Sequence, residues 1–293
     1  MHPAPSLILF TTLSGLGFGL LAFLCLGLPD ARGLTAVLWF GAGFALAGGG
    51  LLASTTHLGN PQRAWRAFTQ WQTSWLSREA WLSVLALAAA GGVALGRVFF
   101  DLPMTGLGPV AAGLALATVA STAMIYAQLK TVPRWNHWTT PALFLSMALA
   151  GGALLAGQMM VAPVLLLLAG AVQLLAWRTG DGRFAARGHG LASATRLEGG
   201  TVRSFAPPHT GSNYLLREMV HQVGRRHARK LRSLALIFGF LAPALLCLTA
   251  HPLALVLAVL SHAGGAMAGR WLFFAEAEHV VGLYYGYHEA GAR

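Results

Sequence analysis

A histidine, His57, closes one long apolar stretch, and a carboxylate, Glu79, opens the next, within the run STTHLGNPQRAWRAFTQWQTSWLSREAW. A His titrates near neutrality and can exchange a proton with a bound ligand. A carboxylate beside it can orient or reprotonate it. At a lipid boundary the natural ligand for such a pair is a quinone, whose ring oxygens take protons as electrons arrive and whose tail stays in hydrocarbon. Ionisable groups at membrane depth are costly and are first read as functional. The same spacing also suits a His that ends one helix and a Glu that meets the positive N-terminus of the next, so spacing alone leaves both readings open.

Around this pair crowd Trp65, Trp71, Trp75 and Trp81, with Arg63, Arg66 and Arg78. The tryptophans suit an interfacial aromatic belt, and some of them also suit the wall of a ring-binding pocket; the arginines suit headgroups or an acidic partner, and Trp75 and Arg78 are the candidate binding residues among them. A second polar cluster, TVPRWNHWTTP, carries Arg134, Asn136 and His137. A third, GRWLFFAEAEHVVGLYYGYHE, carries Arg270, Glu276, Glu278 and His279. Convergence of such segments on one rim is what a site needs, although snorkelling charges produce a similar pattern. A bis-His haem b is disfavoured: His262 sits well inside an apolar run and no partner is visible at its depth. The two cysteines, Cys25 and Cys247, are too few for a four-thiolate cluster or a closed Cys-rich zinc site.

These residues need elements to hold them, and composition says which. The chain has 293 residues, of which 56% are hydrophobic and only 10% charged; soluble domains carry about 25% charged residues. A helix needs about 20 apolar residues to cross the hydrocarbon. Eight stretches qualify, near 5–28, 34–56, 79–100, 106–129, 138–157, 161–177, 234–249 and 253–274. The expected fold is therefore an all-α membrane protein with eight transmembrane helices, arranged as two four-helix bundles, forming one integral membrane domain over 1–293. The opening MHPAPSLILF lacks a basic n-region and a cleavage site and is read as a retained first span. The spans are almost free of charge at their centres, which argues against an ion-coupled transporter.

Net charge is +11. On an eight-span topology, only Arg32 and Arg97 fall on one side and the other 18 Lys+Arg residues on the opposite side. Even without the long sixth loop, 178–233, the split is 7 to 2. The positive-inside rule then puts both termini and that loop in the cytoplasm of a bacterial inner membrane. The basicity is assigned to lipid headgroups or a membrane-bound partner, with no nucleic acid. In the loop, 214–231 can form a basic amphipathic helix. No nucleotide, hydrolase or zinc-protease motif occurs.

HLGNPQRAWRAFTQWQTSWLSREAW resembles the membrane anchor subunit of the dimethyl sulfoxide reductase family, the DmsC-like group of NrfD-type quinone-interacting subunits. TVPRWNHWTTP and GRWLFF resemble two further segments of it, in order. The resemblance implies a quinone (ubiquinone or menaquinone) bound through His57 and Glu79. It also implies a four-cluster iron–sulfur subunit as docking partner, wired to a molybdopterin catalytic subunit. Iron–sulfur clusters and the molybdenum bis-guanine-dinucleotide cofactor would sit in those partners only. One departure is expected: family anchors serve an outer-face partner, whereas the His57 rim here lies on the positive side. That, the opening MHPAPSLILFTTLSGLG and the Arg-rich loop resemble the sulfite dehydrogenase (SoeC-like) branch, which implies sulfite oxidation with quinone reduction. Alternatives are a quinol-oxidising anchor of a terminal reductase and a purely structural anchor.

Overall fold

The computed structural model describes residues 1–56, 59–102, 105–197, 201–203, 205–206, 211, 213–220 and 227–285. Among them the regular structure is helical throughout. Eight long helices follow one another: α1 Pro5–Cys25, α2 Gly33–Thr55, α3 Trp75–Phe99, α4 Leu107–Ala127, α5 Thr139–Leu155, α6 Ala162–Asp181, α7 Ala228–Cys247 and α8 Pro252–Ala275. Seven are long and apolar enough to cross a membrane; α5, with 17 residues, falls short of that length. Prolines stand at the starts of α1, α6 and α8, where a missing N–H costs nothing and the fixed φ favours a helix.

Two helices start earlier than hydropathy suggests. α3 begins at Trp75, so Glu79 lies one turn inside it. α7 begins at Ala228, and the charged stretch Arg229–Lys230–Arg232 is helical because Arg232 finds acidic partners. The expected amphipathic helix over 214–231 is present only as the turn Tyr214–Glu218 and the start of α7; residues 221–226 lie outside the described residues.

α1 is the hub. It packs on α2, α4, α5 and α8, while α3 packs on α2 and α4, and α6 packs on α5 and α7. Small residues permit this closeness. A Cβ on Gly19 would overlap the Ala148 carbonyl of α5, and one on Gly265 of α8 would overlap the Gly239 backbone of α7. α7 contains a π-helical segment, Ile237–Leu241. Pro243 cannot supply the N–H that Gly239's carbonyl would take in a regular α-helix. His262 of α8 supplies a donor instead, its Nδ1 lying 2.6 Å from that oxygen.

Ion pairs tie the helix ends. At one end, Arg32 pairs with Asp30 and Asp101 at 2.8 Å each, and Arg97 pairs with Asp30. Arg32 holds Asp30 below the usual carboxylate range. At the other end, Arg134 and Arg232 share Asp181 and Glu276, at 2.7 and 3.6 Å for Arg134 and 2.5 and 2.7 Å for Arg232. The long sixth loop folds over this second end: Arg187 donates to Asn136 at 2.8 Å, and Tyr284 donates to the Ala194 carbonyl at 2.6 Å.

Candidate functional site

Glu79 sits in the first turns of α3 and is buried. Thr122 of α4 donates its hydroxyl to Glu79 Oε1 at 2.5 Å. One turn further along α4, Tyr126 is buried. The Phe144 ring of α5 meets both Tyr126 and Arg270 of α8, so the phenol and the guanidinium share one aromatic neighbour. Arg270 is 5% exposed, and its Cζ lies 3.5 Å from the centroid of the Phe144 ring. Its Nη1 has no hydrogen-bond partner among the described residues. A buried guanidinium held against a ring face, with an N–H unspent, is a donor suited to an acceptor oxygen.

The aromatic surroundings stiffen this array. Tyr126 meets Trp135, Phe144, Phe273 and Phe274 with centroids 5.3, 5.7, 5.4 and 5.5 Å away. Trp135 stacks on Phe273 and donates its indole N–H to that residue's carbonyl at 2.9 Å. Trp135 belongs to the second polar segment of the sequence and Phe273 to the third, so those two segments do meet.

Other expected site residues lie apart from this array. Trp75 and Arg78 pair with each other at the mouth of α3, the guanidinium carbon 4.5 Å from the ring centroid. Arg78 also donates to the Trp71 and Gln72 carbonyls, at 3.0 and 2.7 Å, and so knits the preceding loop. His137 is engaged locally: the Thr139 amide donates to its Nδ1 at 3.3 Å. His279 Nδ1 accepts from the Val281 amide at 3.0 Å in the same manner. Burial, then the charge of Arg183, lowers the pKa of His137; burial, then the N-terminal ammonium, lowers that of His279. His57 lies outside the described residues.

Reading the residues singly missed Thr122 and Tyr126. Their signal is the spacing Thr118, Thr122, Tyr126, a polar line at every fourth residue of an otherwise apolar helix.

An apolar helical array with a buried, partly unspent polar row beneath an Arg-rich rim is the architecture of a membrane-embedded component of a larger assembly. The chain belongs to the DMSO reductase anchor subunit (DmsC) family, whose model matches residues 1–286. It is thus a multi-pass membrane protein. It is 33% identical over 323 aligned positions to a sulfite dehydrogenase subunit of Allochromatium vinosum, covering 97% of this chain and 99% of that one. No solved structure matches it.

Proposed function

We propose that this protein is the quinone-binding anchor of a heterotrimeric molybdoenzyme, passing electrons between an iron–sulfur subunit and the quinone pool. The observation that carries this is the buried Glu79 of α3, held by the Thr122 hydroxyl of α4 inside a membrane span. A carboxyl in that position inside a membrane span calls for a proton-exchanging partner. A bound quinone supplies acceptance of two electrons and two protons. Arg270, held against the Phe144 ring, supplies a fixed positive charge on the far side of that ring. Glu79 holds a proton on its carboxyl and hands it over, with Thr122 fixing Oε1. His57, on the preceding segment, is the second proton-handling group. Trp75 and Arg78 shield the mouth of α3 from water.

The wider arrangement follows the same reading. All eight helices span, with α5 completing its crossing through the flanking turns. The packing pairs support two four-helix bundles, α1–α4 and α5–α8, joined along α1 and α5. The membrane is the bacterial inner membrane, with both termini on the cytoplasmic side. The iron–sulfur subunit, with its four clusters, covers the Arg-rich rim, and a molybdopterin subunit sits beyond it. The sulfite dehydrogenase relative favours electron flow from sulfite to quinone. The family's own description, a DMSO reductase anchor, favours the reverse flow from quinol. Direction is decided by which substrate, sulfite or a sulfoxide, the intact complex turns over.

Glu79→Gln keeps the shape and loses the exchangeable proton. General acid–base contributions are typically about 10²–10⁴-fold, and a loss of at least about 100-fold in quinone-linked turnover is expected. Activity of the complex with an artificial acceptor should stay intact. Unchanged quinone-linked turnover would remove Glu79 from the site.

A further inference from the structure

We infer that Thr12 of α1 and His262 and Arg270 of α8 bind buried water molecules in the seam between α1, α5 and α8. The inference stands apart from the quinone reading. Thr12, His262 and Arg270 are 4%, 1% and 5% exposed. Thr12 Oγ1, His262 Nε2 and Arg270 Nη1 are each buried with no hydrogen-bond partner among the described residues. All three side chains line one cavity of ≈ 10 Å³, together with Thr11, Met147 and Ala266. A second cavity of ≈ 10 Å³ adjoins Arg270, Met147 and Ala266 and reaches Gln173. That volume suits one water molecule at each place and is far below what a ring-shaped ligand needs.

The chemistry of the three groups gives the chain of bonds a direction. Gly239's carbonyl can only accept, so His262 carries its hydrogen on Nδ1. The neutral imidazole then presents Nε2 as an acceptor. Arg270 Nη1 can only donate. Thr12 can do both, and it is set apart from its neighbours: Thr11 donates to the Leu7 carbonyl at 2.8 Å and Ser14 to that of Phe10 at 2.6 Å. One water accepting from Arg270 Nη1 and donating one hydrogen to His262 Nε2 and the other to Thr12 Oγ1 satisfies all three with no donor facing a donor. On α8 the two end groups are two turns apart, with Ala266 between them, and a long side chain leans toward the start of its helix. Leaving such groups unpaired in a dry interior is costly, most of all for the charged one.

X-ray radiolytic labelling of the intact complex in H₂¹⁸O tests this. Radiolysis of bound water labels adjacent side chains, and Met147, which is buried and lines both cavities, is the reporter. Met147 should label at a rate approaching that of the exposed Met160, with ¹⁸O entering slowly because the water exchanges slowly with bulk. Thr12→Val, equal in shape, should lower Met147 labelling several-fold while Met160 is unchanged. Should the variant fail to assemble, the wild-type rate decides alone. Met147 labelling in the wild type no faster than dry core residues, or undiminished in an assembled Thr12→Val complex, overturns the inference.

Discussion

Thr122 is the residue through which the neighbouring helix acts on Glu79. Its hydroxyl also lies 3.0 Å from the Thr118 carbonyl, so one proton is poised between two acceptors. Thr122→Val should therefore reduce quinone-linked turnover less than Glu79→Gln does, and mainly through kcat, since the hydroxyl positions the carboxyl without holding ligand. An effect confined to KM would contradict that role. At the rim, His137 and His279 both favour the neutral form in the fold. Their folded pKa values lie below the unfolded value of about 6.5, so the unfolded chain binds more protons at acid pH. Their stabilising contribution is complete above about pH 6.5 and is lost as pH falls through the folded values. The melting temperature of the detergent-solubilised protein should drop between pH 7.5 and 5, and a His137→Gln, His279→Gln double variant should show a shallower drop. The burial of Glu79 follows directly from its position at the head of an apolar run. The burial of Tyr126 does not, because a lone Tyr near a helix end reads as an interface anchor until α8 and the 131–141 segment are seen packed on it.

At the scale of helices, close approach is tested by paired glycines. Gly19→Val places its side chain into the α5 backbone at Ala148, and the overlap cannot be relieved by a rotamer change. It should cost about 1–3 kcal/mol or more, read as lost yield of folded protein in detergent. Gly41→Ala, where a Cβ meets nothing within 4 Å, should be neutral or slightly stabilising. Arg232→Ala should likewise destabilise, because it leaves the buried Glu276 with only the longer Arg134 contact. These cases mark how far the sequence could be read. Apolar runs bounded by Pro and by loop residues located every long helix. Hydropathy placed the start of α7 at residue 234, because Arg229, Lys230 and Arg232 look like loop. Only the acidic partners contributed by α6 and the end of α8 make a helix favourable there, and no local pattern reports partners so distant in sequence. The shortness of α5 was hidden for a similar reason: Trp138 and Gly157 extend the apolar run without extending the helix.

At the scale of the whole protein, the two ends differ in charge. Arg32 and Arg97, the two basic residues expected on the outer side, are matched by Asp30 and Asp101, while the opposite end gathers the unbalanced arginines. An alkaline phosphatase fusion at Arg293 should be inactive and a green fluorescent protein fusion there should glow; an active phosphatase would reverse the orientation. The ring cluster around Tyr126 has a mechanical consequence as well. It joins α4, α5, α8 and the 131–141 turn at one end, while α1 and α5 touch backbone to backbone where Gly19 meets Ala148 and Gly152. Helices interlocked so tightly cannot rock past one another, so alternating access is closed to this scaffold. On the electron-transfer role proposed above, a covalent staple between α1 and α5 should leave turnover untouched, because a rigid spacer that keeps two redox partners at constant tunnelling range has no stroke to lose.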